Sequence, residues 1–145
     1  MAQRTVLVGV GSTMAIAARQ DATDGTVALL DCELAPGFAA LLPHAHQREE
    51  EALYVLEGCL LVQCGSDERL LGPGEFLLLP RGLVHAQSNP GQEPARFLTL
   101  FLPAGFEECL EDLDALLEDD ASCPPETIRA LLARYGVQSV GGPQS

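Results

Sequence analysis

The sequence contains no tryptophan and no lysine, and all eight of its cationic side chains are arginines. Chemistry through a lysine Schiff base is therefore excluded. Against those 8 basic residues stand 21 acidic ones, a net charge of −13. A field of that sign repels nucleic-acid phosphates and anionic lipid head groups, so neither nucleic acid nor membrane is an expected partner. No apolar run approaches the roughly 18 residues that a spanning helix needs. The five cysteines (Cys32, Cys59, Cys64, Cys109 and Cys123) are odd in number and none is spaced C-x-x-C. That argues against a disulfide framework or zinc ribbon, and for small buried hydrophobes in a reducing cytoplasm. Thr5–Ala18 carries Ala15-Ile16-Ala17, which mimics a leader cleavage site. Gly9, Gly11, Ser12 and Thr13 interrupt its apolar character, however, and a single Arg4 leads it, so we read it as part of the fold.

What is present is a chain of 145 residues, 47 % of them apolar, enough for one domain with its own core. The first hundred residues read as short strands: Thr5–Val10, Thr26–Leu34, Phe38–His46, Ala52–Gln63, Phe76–Leu79, Val84–Gln87 and Ala95–Leu102. Turn signals separate them, among them Pro36-Gly37, Gly65-Ser66-Asp67, Gly72-Pro73-Gly74 and Asn89-Pro90-Gly91. Such spacing without helical patterns predicts a sandwich, jelly roll or barrel over residues 1–103. After Pro103 the period changes. Phe106, Leu110, Leu113 and Leu117 recur at helical spacing opposite a run of acids, and a second helix is expected from about Pro125 to Tyr135, ended by Gly136. The eight acids between Glu107 and Asp120 are read as a solvated helix face. Residues 104–136 are thus two helices of the same domain, and 137–145 a tail.

Chemistry is concentrated in the only three histidines. His44 and His46 sit two apart in an expected strand, which puts both imidazoles on one face with Cα atoms about 6.6 Å apart. Two neighbouring neutral imidazoles begin a site for Zn, Fe, Ni, Mn or Cu. His85 lies 39 positions after His46. Glu51 is an odd number of residues from His46, so on one unbroken strand it would face away and Glu50 would suit better. Residues 47–50 must therefore reset the register for Glu51 to join the imidazoles. By the same alternation Phe38 and Leu42 share the face of His44, and Gln87 that of His85. These residues, with members of the set Phe97, Thr99 and Phe101, are the candidate pocket lining, unless they only fill the core.

The spacing resembles a known family. Gly37, six residues, His44-x-His46, four residues, Glu51, six residues and Gly58 are similar to the first cupin motif, whose first gap is five. Gly74, five residues, Pro80-x-Gly82, two residues, His85, three residues and Asn89 are similar to the second. The flank Ala95–Leu98 running into Pro103–Glu108 looks like the small single-domain cupins of quercetin 2,3-dioxygenase-like type. The resemblance implies a mainly β protein: a single jelly-roll (double-stranded β-helix) barrel with a C-terminal pair of helices. It implies one divalent transition metal per chain on His44, His46, Glu51 and His85, with Glu51 also the proton acceptor, and a homodimer. The expected activity is oxygenase chemistry on a small enol or phenol with O2. Non-redox isomerisation or decarboxylation, and metal-dependent binding without turnover, are the alternatives. For Glu51 to act as a base, a pKa raised by desolvation is expected.

Overall fold

Alternation of apolar and polar side chains, cut by glycine and proline, gives eleven strands and two α-helices among the described residues. The structure, a computed structural model, describes residues 4–7, 11–39, 43–119 and 122–139. The strands are β1 (Arg4–Leu7), β2 (Ser12–Ala18), β3 (Ala28–Leu34), β4 (His44–His46), β5 (Glu50–Glu57), β6 (Leu60–Cys64), β7 (Asp67–Leu71), β8 (Phe76–Leu79), β9 (His85–Ser88), β10 (Ala95–Leu102) and β11 (Val137–Ser139). The helices are α1 (Phe106–Asp119) and α2 (Pro125–Arg134). They form a six-stranded sheet of order β1-β2-β3-β10-β5-β8 and a five-stranded sheet of order β11-β4-β9-β6-β7. All pairings are antiparallel.

The expected barrel is corrected to two sheets that are not closed into one hydrogen-bonded cylinder, an arrangement consistent with a jelly roll. The core lies between them. Strand β10 shows the alternation most plainly, with Ala95, Phe97, Thr99 and Phe101 buried. Beside them in the same sheet stand Leu30 and Cys32 of β3 and Leu53 and Val55 of β5, which are 1 % exposed or less. All five cysteines are free. Burial pushes the Cys32 thiol up to about 12, against a weaker opposing effect of its contact with Thr99. No helix of the described residues is long and apolar enough to cross a membrane.

Several local expectations change. The run Ala52–Gln63 is two strands, because the chain turns at Gly58. Its φ is +75° and a Cβ there would stand 2.4 Å from the Pro94 carbonyl oxygen, so only glycine fits. The expected strand Phe38–His46 is extended only over His44–His46; residues 40–42 lie outside the described residues. Residues 137–139 are not tail. They form β11, which pairs Val137 with His46 and Ser139 with His44. The acids of α1 are not all solvated either. Glu107 is fully buried and accepts the backbone N–H groups of Gln20 and Gly105, each at 2.7 Å. Asp114 is buried as well.

Candidate metal centre

The five-stranded sheet brings the three histidines together. Strand β4 carries His44 and His46, and His85 at the start of β9 stands opposite His44. The turn preceding β9 is set by Pro80-Arg81-Gly82-Leu83. The Leu83 N–H donates to the Pro80 carbonyl at 3.1 Å, and Gly82 takes a φ of +84°, the left-handed third position of a type II turn. The Gly82 N–H then donates to the His46 carbonyl at 2.8 Å, which ties this turn to the strand bearing the other two imidazoles.

The potential ligand atoms of His44, His46 and His85 lie within 4.8 Å of one another. Ring centroids are 5.1 Å apart for His44 and His46, 4.6 Å for His44 and His85, and 5.5 Å for His46 and His85. His46 and His85 are buried and His44 half-buried, so the cluster is approached from the His44 side. Glu51 comes from the other sheet. Residues 47–49 leave β4 and enter β5, so strand parity does not carry across them. Glu51 is buried, with Oε1 at 3.3 Å from His46 Nε2 and 3.2 Å from His85 Nε2. Its Oε2 accepts the Gln87 amide at 3.0 Å.

The electrostatics of this cluster differ from expectation. Burial alone would push the Glu51 carboxyl up, but hydrogen bonds to His46 and His85, and their charge, outweigh it and hold the group well below the carboxylate range. The expected rise is therefore corrected to a fall. Burial likewise pulls His46 down, yet Glu49 and Glu51 overcome it and raise the imidazole to about 9. Three converging imidazoles beside a buried carboxylate are a donor set that fits one divalent transition metal.

Of the candidate lining residues, Gln87 and Phe101 reach the cluster, the latter with its ring centroid 5.5 Å from that of His46. Phe97 and Thr99 are packed core, Thr99 against Cys32 at 3.5 Å. Phe38 precedes β4, packs on the core and accepts the Asn89 N–H through its carbonyl; strand alternation does not place it with His44. Leu42 lies outside the described residues. Sequence reasoning missed Phe106, whose ring meets that of His46 edge-on at 4.6 Å, and Glu49, 3.5 Å from the other face of the same imidazole's hydrogen-bonding pair at Nδ1. Phe106 looked like a helix core residue, and Glu49 was one of three consecutive glutamates.

Comparison with known proteins agrees with this architecture. Residues 30–101 match the cupin domain model. The chain is 34 % identical over 124 residues to germin-like protein 3-7 of Oryza sativa subsp. japonica, an alignment covering 75 % of this chain and 53 % of that protein. It is 33 % identical over 95 residues to tetracenomycin polyketide synthase protein TcmJ of Streptomyces glaucescens, covering 65 % of this chain and 63 % of TcmJ. The chain thus spans about half of the germin-like relative and less than two thirds of TcmJ. Among solved structures, KdgF from Halomonas sp. is similar in fold, with a TM-score of 0.63 and 22 % identity, covering 72 % of this chain and 92 % of that one. A jelly-roll fold with the three histidines gathered on its five-stranded sheet, and a domain match over residues 30–101, show that the chain belongs to the cupin superfamily.

Proposed function

We propose that this cupin is a metal-dependent enzyme of oxygenase type, acting on a small enolic or phenolic, flavonol-like substrate with O2. His44, His46 and His85 would hold one divalent transition metal, with Glu51 as the further ligand. The observation that carries the reading is the buried Glu51 carboxylate, 3.2 and 3.3 Å from two imidazole nitrogens and fixed by Gln87 on its other oxygen. Three imidazoles and one carboxylate leave positions open on a five- or six-coordinate ion. When bound, the metal supplies Lewis acidity toward a substrate oxygen and, if redox-active, a route to O2.

The chain's own groups divide the remaining work. Glu51 is held low in the metal-free fold by its imidazole contacts, so it would accept the substrate hydroxyl proton only once a bound metal engages those imidazoles and removes that effect, while Gln87 holds the carboxylate in place. Phe101 and Phe106 pack against His46 and keep water from that side. Substrate enters past half-buried His44. The similarity to a polyketide synthase protein favours a second reading with the same residues. Polyketide chains carry enolisable carbonyls, and proton transfer at such a group needs no O2. A second copy of the chain is proposed to cover Tyr54, Phe76 and Leu78, which are exposed on paired strands at the β8 edge; light scattering of wild type and Phe76→Glu tests it.

The test is incubation of Fe-, Ni-, Mn-, Cu- and Zn-loaded protein with flavonols and simple enols, with and without air. Metal-dependent oxygen uptake is the expected result. Turnover that proceeds equally without air replaces the oxygenase reading with proton transfer, and saturable binding without turnover replaces both with a binding role.

A further inference from the structure

Glu49 lies in the connection between β4 and β5, and nothing in the sequence sets it apart from its acidic neighbours. It is nonetheless 5 % exposed, and its Oε1 is 3.5 Å from Nδ1 of His46, itself 3 % exposed. Both atoms are buried without a well-formed hydrogen bond. Two polar atoms left over and adjacent in a water-free site are costly unless they are aligned to serve each other. The opposite nitrogen of the same ring, Nε2, points toward Glu51.

An imidazole binds a metal through a nitrogen that carries no hydrogen, and the other nitrogen then carries one and needs an acceptor. His85 shows that division. Its Nδ1 lies 3.1 Å from the Leu83 carbonyl oxygen while its Nε2 faces Glu51 at 3.2 Å. His46 has a carboxylate where His85 has a peptide carbonyl. A charged acceptor behind the ring fixes its tautomer and makes it a better electron donor to an ion.

We propose that Glu49 is a positioning residue: it accepts the Nδ1–H of His46 and thereby commits Nε2 of that ring to the metal. The inference rests on the metal-centre reading above. It assigns the two consecutive odd-numbered glutamates different tasks, Glu51 inside the cluster and Glu49 behind it.

The test is Zn2+ affinity of the full chain at neutral pH, by competition with a chromophoric chelator, for wild type, Glu49→Gln, Glu49→Leu and His46→Ala. It is joined by NMR detection of the His46 Nδ1–H in the Zn-loaded protein. Glu49→Leu is expected to weaken binding by about 10- to 100-fold and to erase the Nδ1–H resonance through solvent exchange. The near-isosteric Glu49→Gln, which serves should the leucine variant not fold, is expected to weaken binding less and to move that resonance. Wild-type affinity with an unmoved resonance in Glu49→Gln, while His46→Ala loses the ion, overturns the role of Glu49 alone. Equal affinity of wild type and His46→Ala overturns the metal-centre reading and this inference with it.

Discussion

His44 stands directly across from His85 where β4 pairs with β9, their ring centroids 4.6 Å apart. That pair is the seam between β11-β4 and β9-β6-β7 in the five-stranded sheet. An ion held by both rings would brace the seam. Zn2+ at 100 times its Kd is expected to stabilise the fold by about 2.7 kcal/mol, raising Tm by roughly 5–10 °C for a chain of this size. Scanning fluorimetry with and without EDTA measures it, and His85→Ala should abolish the shift. An undiminished shift in that variant would put the ion elsewhere.

Glu51 and Glu50 separate the ligand assignment from a general effect of charge. The Glu51 side chain is buried against two imidazoles, whereas its neighbour takes the other face of β5, across from Leu102. Glu51→Gln is therefore expected to lower bound metal sharply, and Glu50→Gln to leave it near wild type. Metal analysis after dialysis checks this. Equal losses would mean that loss of negative charge alone controls retention.

The clustering of the candidate residues was legible for reasons that differ from one to the next. H-x-H places two imidazoles on one strand face wherever that strand runs. Pro80-x-Gly82 encodes its turn locally, so His85 follows at a readable place. Strand β10 was legible because one face is core and the other is not. What could not be read depends on distant partners. Strand β7, Asp67–Leu71, buries only its last residue and so shows no alternation. Strand β11 is three residues whose extended form depends on pairing with β4. The parity of Glu51 was ambiguous because residues 47–49 change sheets, and Glu49 and Glu107 carry no local mark of burial. Direction of the Glu51 shift also escaped the sequence, since burial and imidazole contacts oppose each other there.

Metal-free protein should lose stability on alkalinisation. His46 is raised from 6.5 to about 9 in the fold, so its protonated form stabilises the native state below about pH 6.5, and that contribution fades as pH rises through 9. Glu51 is lowered from 4.5, so its contribution is present above that pH and fades as the solution becomes more acidic. The metal-free fold is expected to be most stable between about 4.5 and 6.5. An ion must displace the His46 proton, so affinity should keep rising toward pH 9 and binding at neutral pH should release protons. Urea titrations of EDTA-treated protein, and calorimetry in buffers of different ionisation enthalpy, test both statements. Flat stability from pH 6 to 9 would contradict them.

Asn89 completes the second motif, and its side chain bonds to backbone groups. Its amide donates to the carbonyls of Leu34, Ala35 and Glu93 at 3.1, 3.2 and 2.9 Å, and its Oδ1 accepts the Gly91 N–H at 2.9 Å. The side chain is 1 % exposed, so these are bonds that water cannot replace. Asn89→Ala is expected to cost roughly 2–4 kcal/mol while the folded fraction retains one metal per chain. Asn89→Asp keeps the acceptor for Gly91 but turns an oxygen toward three carbonyl oxygens, and should be worse than alanine at neutral pH. Denaturant melts with metal analysis on the same samples separate stability from binding. If the aspartate variant proves as stable as wild type, the three-carbonyl clamp is not what holds this loop to the end of β3.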